Sequence, residues 1–270
     1  HIIRGLLKKS IKLDNNLLRA KILLGQTYFF EEAGNKTLAK KARNIFEDIL
    51  VTAEHINDKL YIGRSLRNIG NTYWEFDKQI ANDYYIRALE ISKEINDNIG
   101  MIKSISNIGN YYSSIKKYEK ALSYYQSALK ISEDIENKEE MFWQNLKISN
   151  NYKSSGDYFR ALSINSQIMK SINQEENSIL NNILCLEDSS NIYFVMGEYD
   201  KCLEHSNQAL SISKENNLKH QMMHCMVPIA LCHYLLNEYN VSEENINKIL
   251  ENDDKGHFNS VNILQSLIYK

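Results

Sequence analysis

The sequence predicts an all-α fold, a solenoid of about six helix-turn-helix repeats. Three observations predict it. The 270 residues contain one proline and 10 glycines, too few chain breakers for a β-sandwich or barrel with its many turns. One pattern of small and aromatic residues returns at steps of 45, 39, 40, 41 and 40 positions, which marks stacked units. Within each unit apolar residues recur at three and four, the spacing of an amphipathic helix.

The elements follow in order. Residues 1–13 read as the second helix of a preceding, partial repeat. Six repeats then span 14–56, 58–96, 98–135, 138–173, 178–216 and 218–252, all within a single domain of residues 1–270. Each holds two helices of roughly 14–18 residues around a short turn such as KKYEK, SGDYF or MGEYD, since two helices must fit into one unit. Pro228 falls inside the first helix of the sixth unit, where it removes a backbone donor and predicts a kink. Residues 257–269 read as a capping helix over the last hairpin. The total is 13–15 helices and no strand.

The register within the repeats is specific. The first helices carry a small residue at Gly25, Gly70, Gly109, Ser149, Ser190 and Ala230. An aromatic ring follows three residues later, at Tyr28, Tyr73, Tyr112, Tyr152, Tyr193 and His233. The second helices carry another small residue at Ala42, Ala81, Ala121, Ala161, Cys202 and Ser242. Phe46, Tyr85, Tyr125, Asn165, Ser206 and Ile246 stand one turn beyond it. The two small residues let the backbones of a hairpin approach, and the rings fill the space around the contact. A single hairpin cannot bury its apolar stripe alone, so consecutive hairpins stack and share a core.

This pattern resembles the tetratricopeptide repeat family over residues 13–252. The units are longer than the family's usual 34 residues, and the proline that commonly closes each repeat is missing. Such long repeats are similar to those of spindle-orientation adaptors, kinesin light chains and bacterial peptide-pheromone receptors. The resemblance implies a right-handed superhelical solenoid, a protein- or peptide-binding scaffold whose first helices line a concave groove.

Composition excludes several other functions. With 32 Lys+Arg against 34 Asp+Glu the formal net charge is −2, which argues against a nucleic-acid partner. The tyrosines that could stack on bases occupy repeat core positions instead. No apolar run reaches the length of a membrane span, so no membrane partner is expected. The chain opens on helical pattern, without Met or a signal-peptide core, and reads as a piece of a longer cytoplasmic protein. No phosphate-cradling glycine loop, HExxH or GxSxG is present, so neither enzyme activity nor a cofactor is expected. His220, His224, Cys225, Cys232 and His233 cluster, but their spacing is not that of a zinc site. Cys185, Cys202, Cys225 and Cys232 read as reduced core thiols.

The residue after each small one is Gln26, Asn71, Asn110, Asn150, Asn191 and Leu231. Asn is a poor helix former, so its recurrence in mid-helix calls for a reason. A column of amides can pair with the backbone of an extended peptide. Packing against neighbouring helices is the alternative. Cations adjoin the column at Arg64, Arg67, Lys103 and Lys147, with Asn107 between them. Domains of the family that clamp a carboxylate use cations and asparagines at similar places, but Trp143 stands where one cation is expected. The expected site is therefore a groove of Arg64, Arg67, Asn71, Lys103, Asn107, Asn110, Trp143, Lys147, Asn150 and Asn191. It is positive in units two to four and turns negative at Glu187 and Asp188, and its expected ligand is an extended acidic segment. The alternative function is a regulatory sensor segment of a larger bacterial signalling protein, a nucleotide cyclase, histidine kinase or transcription regulator. Exposed repeat ends would also allow self-association.

Overall fold

The structure, a computed structural model, describes residues 17–31, 35–172 and 179–252. The predicted partial repeat at 1–13 and capping helix at 257–269 lie outside these residues. Twelve helices and no strand are present among the described residues. They are α1 (Leu18–Glu31), α2 (Lys36–His55), α3 (Lys59–Tyr73), α4 (Lys78–Glu94), α5 (Asn98–Ser114) and α6 (Tyr118–Asp134). Then follow α7 (Lys138–Ser155), α8 (Tyr158–Ile172), α9 (Ile179–Met196), α10 (Tyr199–Glu215), α11 (Lys219–Leu235) and α12 (Tyr239–Asn252). α2 runs to 20 residues, longer than the expected range. α11 continues through Pro228, which lies inside the helix as expected. The chain divides into two compact units, one ending at Gln144 and the other beginning at Asn145. Nearest-neighbour packing permits such a division, because no repeat depends on a distant one.

Helix ends explain how the chain turns without prolines. Asn57, Asn96, Lys116, Glu136, Asn217 and Asn237 take φ values of 52–64°, and Gly156 and Gly197 take 86° and 78°. Such a left-handed residue ends eight of the described helices, α3 not among them, and the next amide bonds back five residues, as Asp58 N–H does to the Ala53 carbonyl at 2.8 Å. That following residue then starts the next helix. Asp58 accepts from Tyr61 N–H, Asp77 from Gln79 and Ile80 N–H, and Asp97 from Gly100 N–H. At 57–58 and 96–97 an Asn-Asp pair thus closes one helix and caps the next.

Hairpin contacts follow the predicted register. A Cβ built on Gly25 would come within 2.5 Å of the Phe46 ring, one on Gly70 within 2.6 Å of Tyr85, and one on Gly109 within 2.6 Å of Tyr125. In two of these hairpins a second pair stacks nearly parallel, Tyr73 on Tyr84 at 5.8 Å and Tyr112 on Tyr124 at 5.4 Å. The first unit has its core around Phe46, Ile49, Ile69, Tyr85, Ile108 and Ala128. The second has its core around Ile183, Leu186, Ala209, Ile229 and Ile246.

In the first unit α1 touches α3 and α3 touches α5; in the second α9 touches α11. Within each unit, among the described residues, no second helix touches the second helix of the next repeat. First helices are therefore the closely spaced row of each unit, and their outward side is its inner face.

Candidate inner-face site

The site begins with the contact that sets the hairpins. Tyr85 and Tyr125 are buried in α4 and α6 above the glycines of α3 and α5. Burial pushes both phenols well above their usual range, so they remain neutral donors. Tyr85 Oη donates to Asn71 Oδ1 at 2.9 Å, and Tyr125 Oη donates to Asn110 Oδ1 at 2.8 Å. Asn107 Nδ2 adds a longer bond to the same Asn71 oxygen at 3.3 Å. The orientation of each amide follows: its oxygen faces the tyrosine, so its NH2 is the free end. Among the described residues neither Asn71 Nδ2 nor Asn110 Nδ2 makes a hydrogen bond, and neither is a buried orphan.

The predicted column of equal amides is not uniform. Asn150 Nδ2 donates to the Leu146 carbonyl of its own helix at 3.0 Å, and Asn191 is exposed. The cause lies in the partner helix. Asn165 and Ser206 occupy the places of Tyr85 and Tyr125, and neither side chain carries a phenol to the amide. In the first repeat Phe46 offers no hydroxyl, and Gln26 Nε2 instead reaches Asn68 Oδ1 at 3.4 Å.

The cations are also placed unequally. Arg64, Arg67 and Lys103 line a cleft of about 360 Å³ between α1, α3 and the start of α5, which Arg19 and Gln26 also reach. Burial brings the Arg67 guanidinium down to about 10; Arg64 adds to this, while Asp97 and Glu140 oppose it. Lys103 lies 3.8 Å from Glu140. Trp143, with 39% of its surface exposed, meets Phe142 edge to face at 5.1 Å. Lys147, Asn150 and Asn191 belong to the second unit.

The expected negative end of the groove is absent at Asp188. That carboxylate is buried and pairs with Lys153, while Ser149 Oγ donates to it at 3.2 Å and Asn165 Nδ2 at 2.9 Å. It fills the space beside Asn165, where the equivalent tyrosines sit in α4 and α6. Glu187 is half-buried, accepts from the Cys225 thiol at 3.5 Å, and is pushed up by its burial.

All four cysteines are buried as free thiols. The His220 and His224 rings lie 4.5 Å apart. Among the described residues no three His, Cys, Asp or Glu side chains converge on one metal position. No described helix is long and apolar enough to cross a membrane. Sequence reasoning missed Arg19 and the tyrosine-to-asparagine bonds. The offsets of Tyr85 and Tyr125 from Gly70 and Gly109, fifteen and sixteen residues, were visible, but the partner of each hydroxyl was not.

Comparisons with known proteins agree with this geometry. The tetratricopeptide repeat family matches residues 79–134, which hold α4, the whole of α5 and α6. No curated protein sequence matches the chain. The fold is similar to that of BtubC from P. vanneervenii, with a TM-score of 0.66 and 14% identity over 79% of this chain and 90% of that one. It is similar to NprR in complex with its cognate peptide NprX, with a TM-score of 0.63 and 15% identity over 94% and 72%. A STAND signal-transduction ATPase with a tetratricopeptide repeat sensor from Pyrococcus horikoshii gives a TM-score of 0.65 and 19% identity over 99% of this chain and 42% of that one.

Proposed function

From the premise that this chain is built of tetratricopeptide repeats, we propose that it binds an extended polypeptide segment along the inner face of its first unit. One observation carries the reading. Tyr85 and Tyr125 hold Asn71 and Asn110 with their oxygens occupied and their NH2 groups unused. Two donors at equivalent places in successive repeats suit two carbonyls of an extended backbone, which a ligand presents whatever its side chains. Fixing the amides in advance lowers the entropy lost on binding. Arg64, Arg67 and Lys103 add a preference for acidic side chains. In this reading the chain does no chemistry of its own. NprR, whose fold is similar, was solved with a peptide.

The fold likeness to an ATPase carrying a repeat sensor supports a second reading, in which the same groove serves a catalytic or regulatory neighbour. Both readings need ligand binding.

The experiment is a random peptide array probed with the 270-residue chain and with Asn71→Ala/Asn110→Ala. The expected result is a set of extended, acid-containing peptides that the double variant fails to retain. Recovery of the same peptides by both proteins, or of basic peptides only, contradicts the reading.

A further inference from the structure

Arg67 is a cation without a partner. The residue is half-buried, and its Nη1 is sealed from solvent with no hydrogen bond among the described residues. No other side-chain hydrogen bond or ion pair of Arg67 exists among those residues either. A buried, unpaired charge is strongly unfavourable, because desolvation is not offset by a counter-charge.

The nearby acids are otherwise engaged. Asp97 Oδ1 accepts Gly100 N–H at 3.0 Å as the cap of α5. Gly100 enforces that pose, since a Cβ there would lie 2.2 Å from Asp97 Oδ2. Glu140 lies beside Lys103. Arg67 instead borders the cleft, where Arg19 and Arg64 stand close by with side chains that make no hydrogen bond or ion pair among the described residues. Three guanidiniums and Lys103 therefore border one cleft against the single carboxylate of Asp97, which makes no hydrogen bond or ion pair to any of them among the described residues.

We propose that this cleft is the seat of one oxyanion, a carboxylate or phosphoryl group, received by the N–H edge of Arg67 and flanked by Arg19 and Arg64. The inference deepens the polypeptide reading and rests on it only for the molecule that carries the anion. It replaces an acidic stretch along several repeats by a single acidic group at one end of the groove. The cleft of about 360 Å³ holds one acidic side chain with a few waters, each of which takes about 30 Å³. A guanidinium suits the task, because its fork matches two oxygens of one carboxylate or phosphate.

Thermal unfolding of the full chain tests the seat, in sodium phosphate, sodium acetate and sodium chloride at equal ionic strength. Wild type should gain Tm in phosphate or acetate beyond chloride, with saturation. The gain should vanish in Arg67→Met and shrink in Arg19→Gln. A response to phosphate alone identifies a phosphoryl group, and a response to acetate a carboxylate. In chloride, Arg67→Met should be at least as stable as wild type, which a structural role for Arg67 would not allow. Arg67→Lys, which keeps the charge without the fork, supplies a second variant and should retain only part of the gain. No gain beyond chloride in wild type, or an undiminished gain in Arg67→Met, overturns the seat.

Array peptides carrying one acidic residue, paired with their amide counterparts, separate the two ideas. The acid form should bind about tenfold or more tightly through its charge-assisted bonds. A phosphate or acetate response with no peptide bound keeps the seat and removes the polypeptide reading. Peptides bound equally as acid and amide, with no anion response, do the reverse.

Discussion

The Tyr125 ring lies so close over Gly109 that an added Cβ would come within 2.6 Å of it. The same side chain donates to Asn110 at 2.8 Å. One tyrosine thus sets the spacing of a hairpin and the orientation of the amide beside it.

A pair of glycine substitutions tests the packing half of that statement. At Gly63 an added Cβ would meet Ile91 at an ordinary 3.5 Å. Gly63→Ala should therefore stabilise by up to about 1 kcal/mol, as expected for removing a glycine from a helix interior. Gly109→Ala should instead destabilise by about 1–3 kcal/mol through overpacking, and Gly109→Leu by more. Urea unfolding of the three variants measures this; equal effects at positions 63 and 109 would show that the ring contact does not limit the space.

The hairpin register, helix positions and packed small residues were legible in the sequence because they repeat six times. The site was legible only in part. Asn71 and Asn150 look alike in sequence, yet one is held by a tyrosine and the other bonds to its own helix. The difference lies in Tyr85 against Asn165, on a partner helix whose hydroxyl target depends on packing. Asp188 misled for the same reason. It falls at a place that reads as inner face, but the space left by the smaller Asn165 draws it into the core. Arg19 was visible in the same register, six residues before Gly25 as Arg64 and Lys103 are before Gly70 and Gly109, but its share in a cleft depends on how α1 packs beside α3.

Asp188 makes a strong stability prediction. Asp188→Ala leaves Lys153, Ser149 and Asn165 without their shared acceptor. Loss of one partner from such a buried pair costs about 3–5 kcal/mol. Replacing the exposed Asp83 by Ala should cost under about 0.5 kcal/mol. Denaturant midpoints of both variants provide the comparison, and a small loss at Asp188 would place its carboxylate in solvent after all.

Glu187 should leave a signature in pH. Burial raises its folded-state affinity for a proton above that of the unfolded chain. Its ionised form therefore opposes folding at neutral pH, and the penalty fades as pH falls toward and below the ordinary glutamate value of 4.5. Glu187→Gln should stabilise the chain at pH 7 and lose that advantage in acid. A benefit that grows on acidification has the wrong sign for a buried, disfavoured carboxylate.

The oriented amides are the centre of the account. The direct measurement is calorimetric titration of one array-selected peptide into wild type, Asn71→Ala/Asn110→Ala and the second-unit control Asn150→Ala/Asn191→Ala. Two neutral hydrogen bonds contribute about 1–3 kcal/mol, so the first double variant should bind roughly five- to a hundredfold more weakly. The control should bind like wild type. Equal affinity for all three proteins, or a loss confined to the control, would contradict the assignment of the binding face.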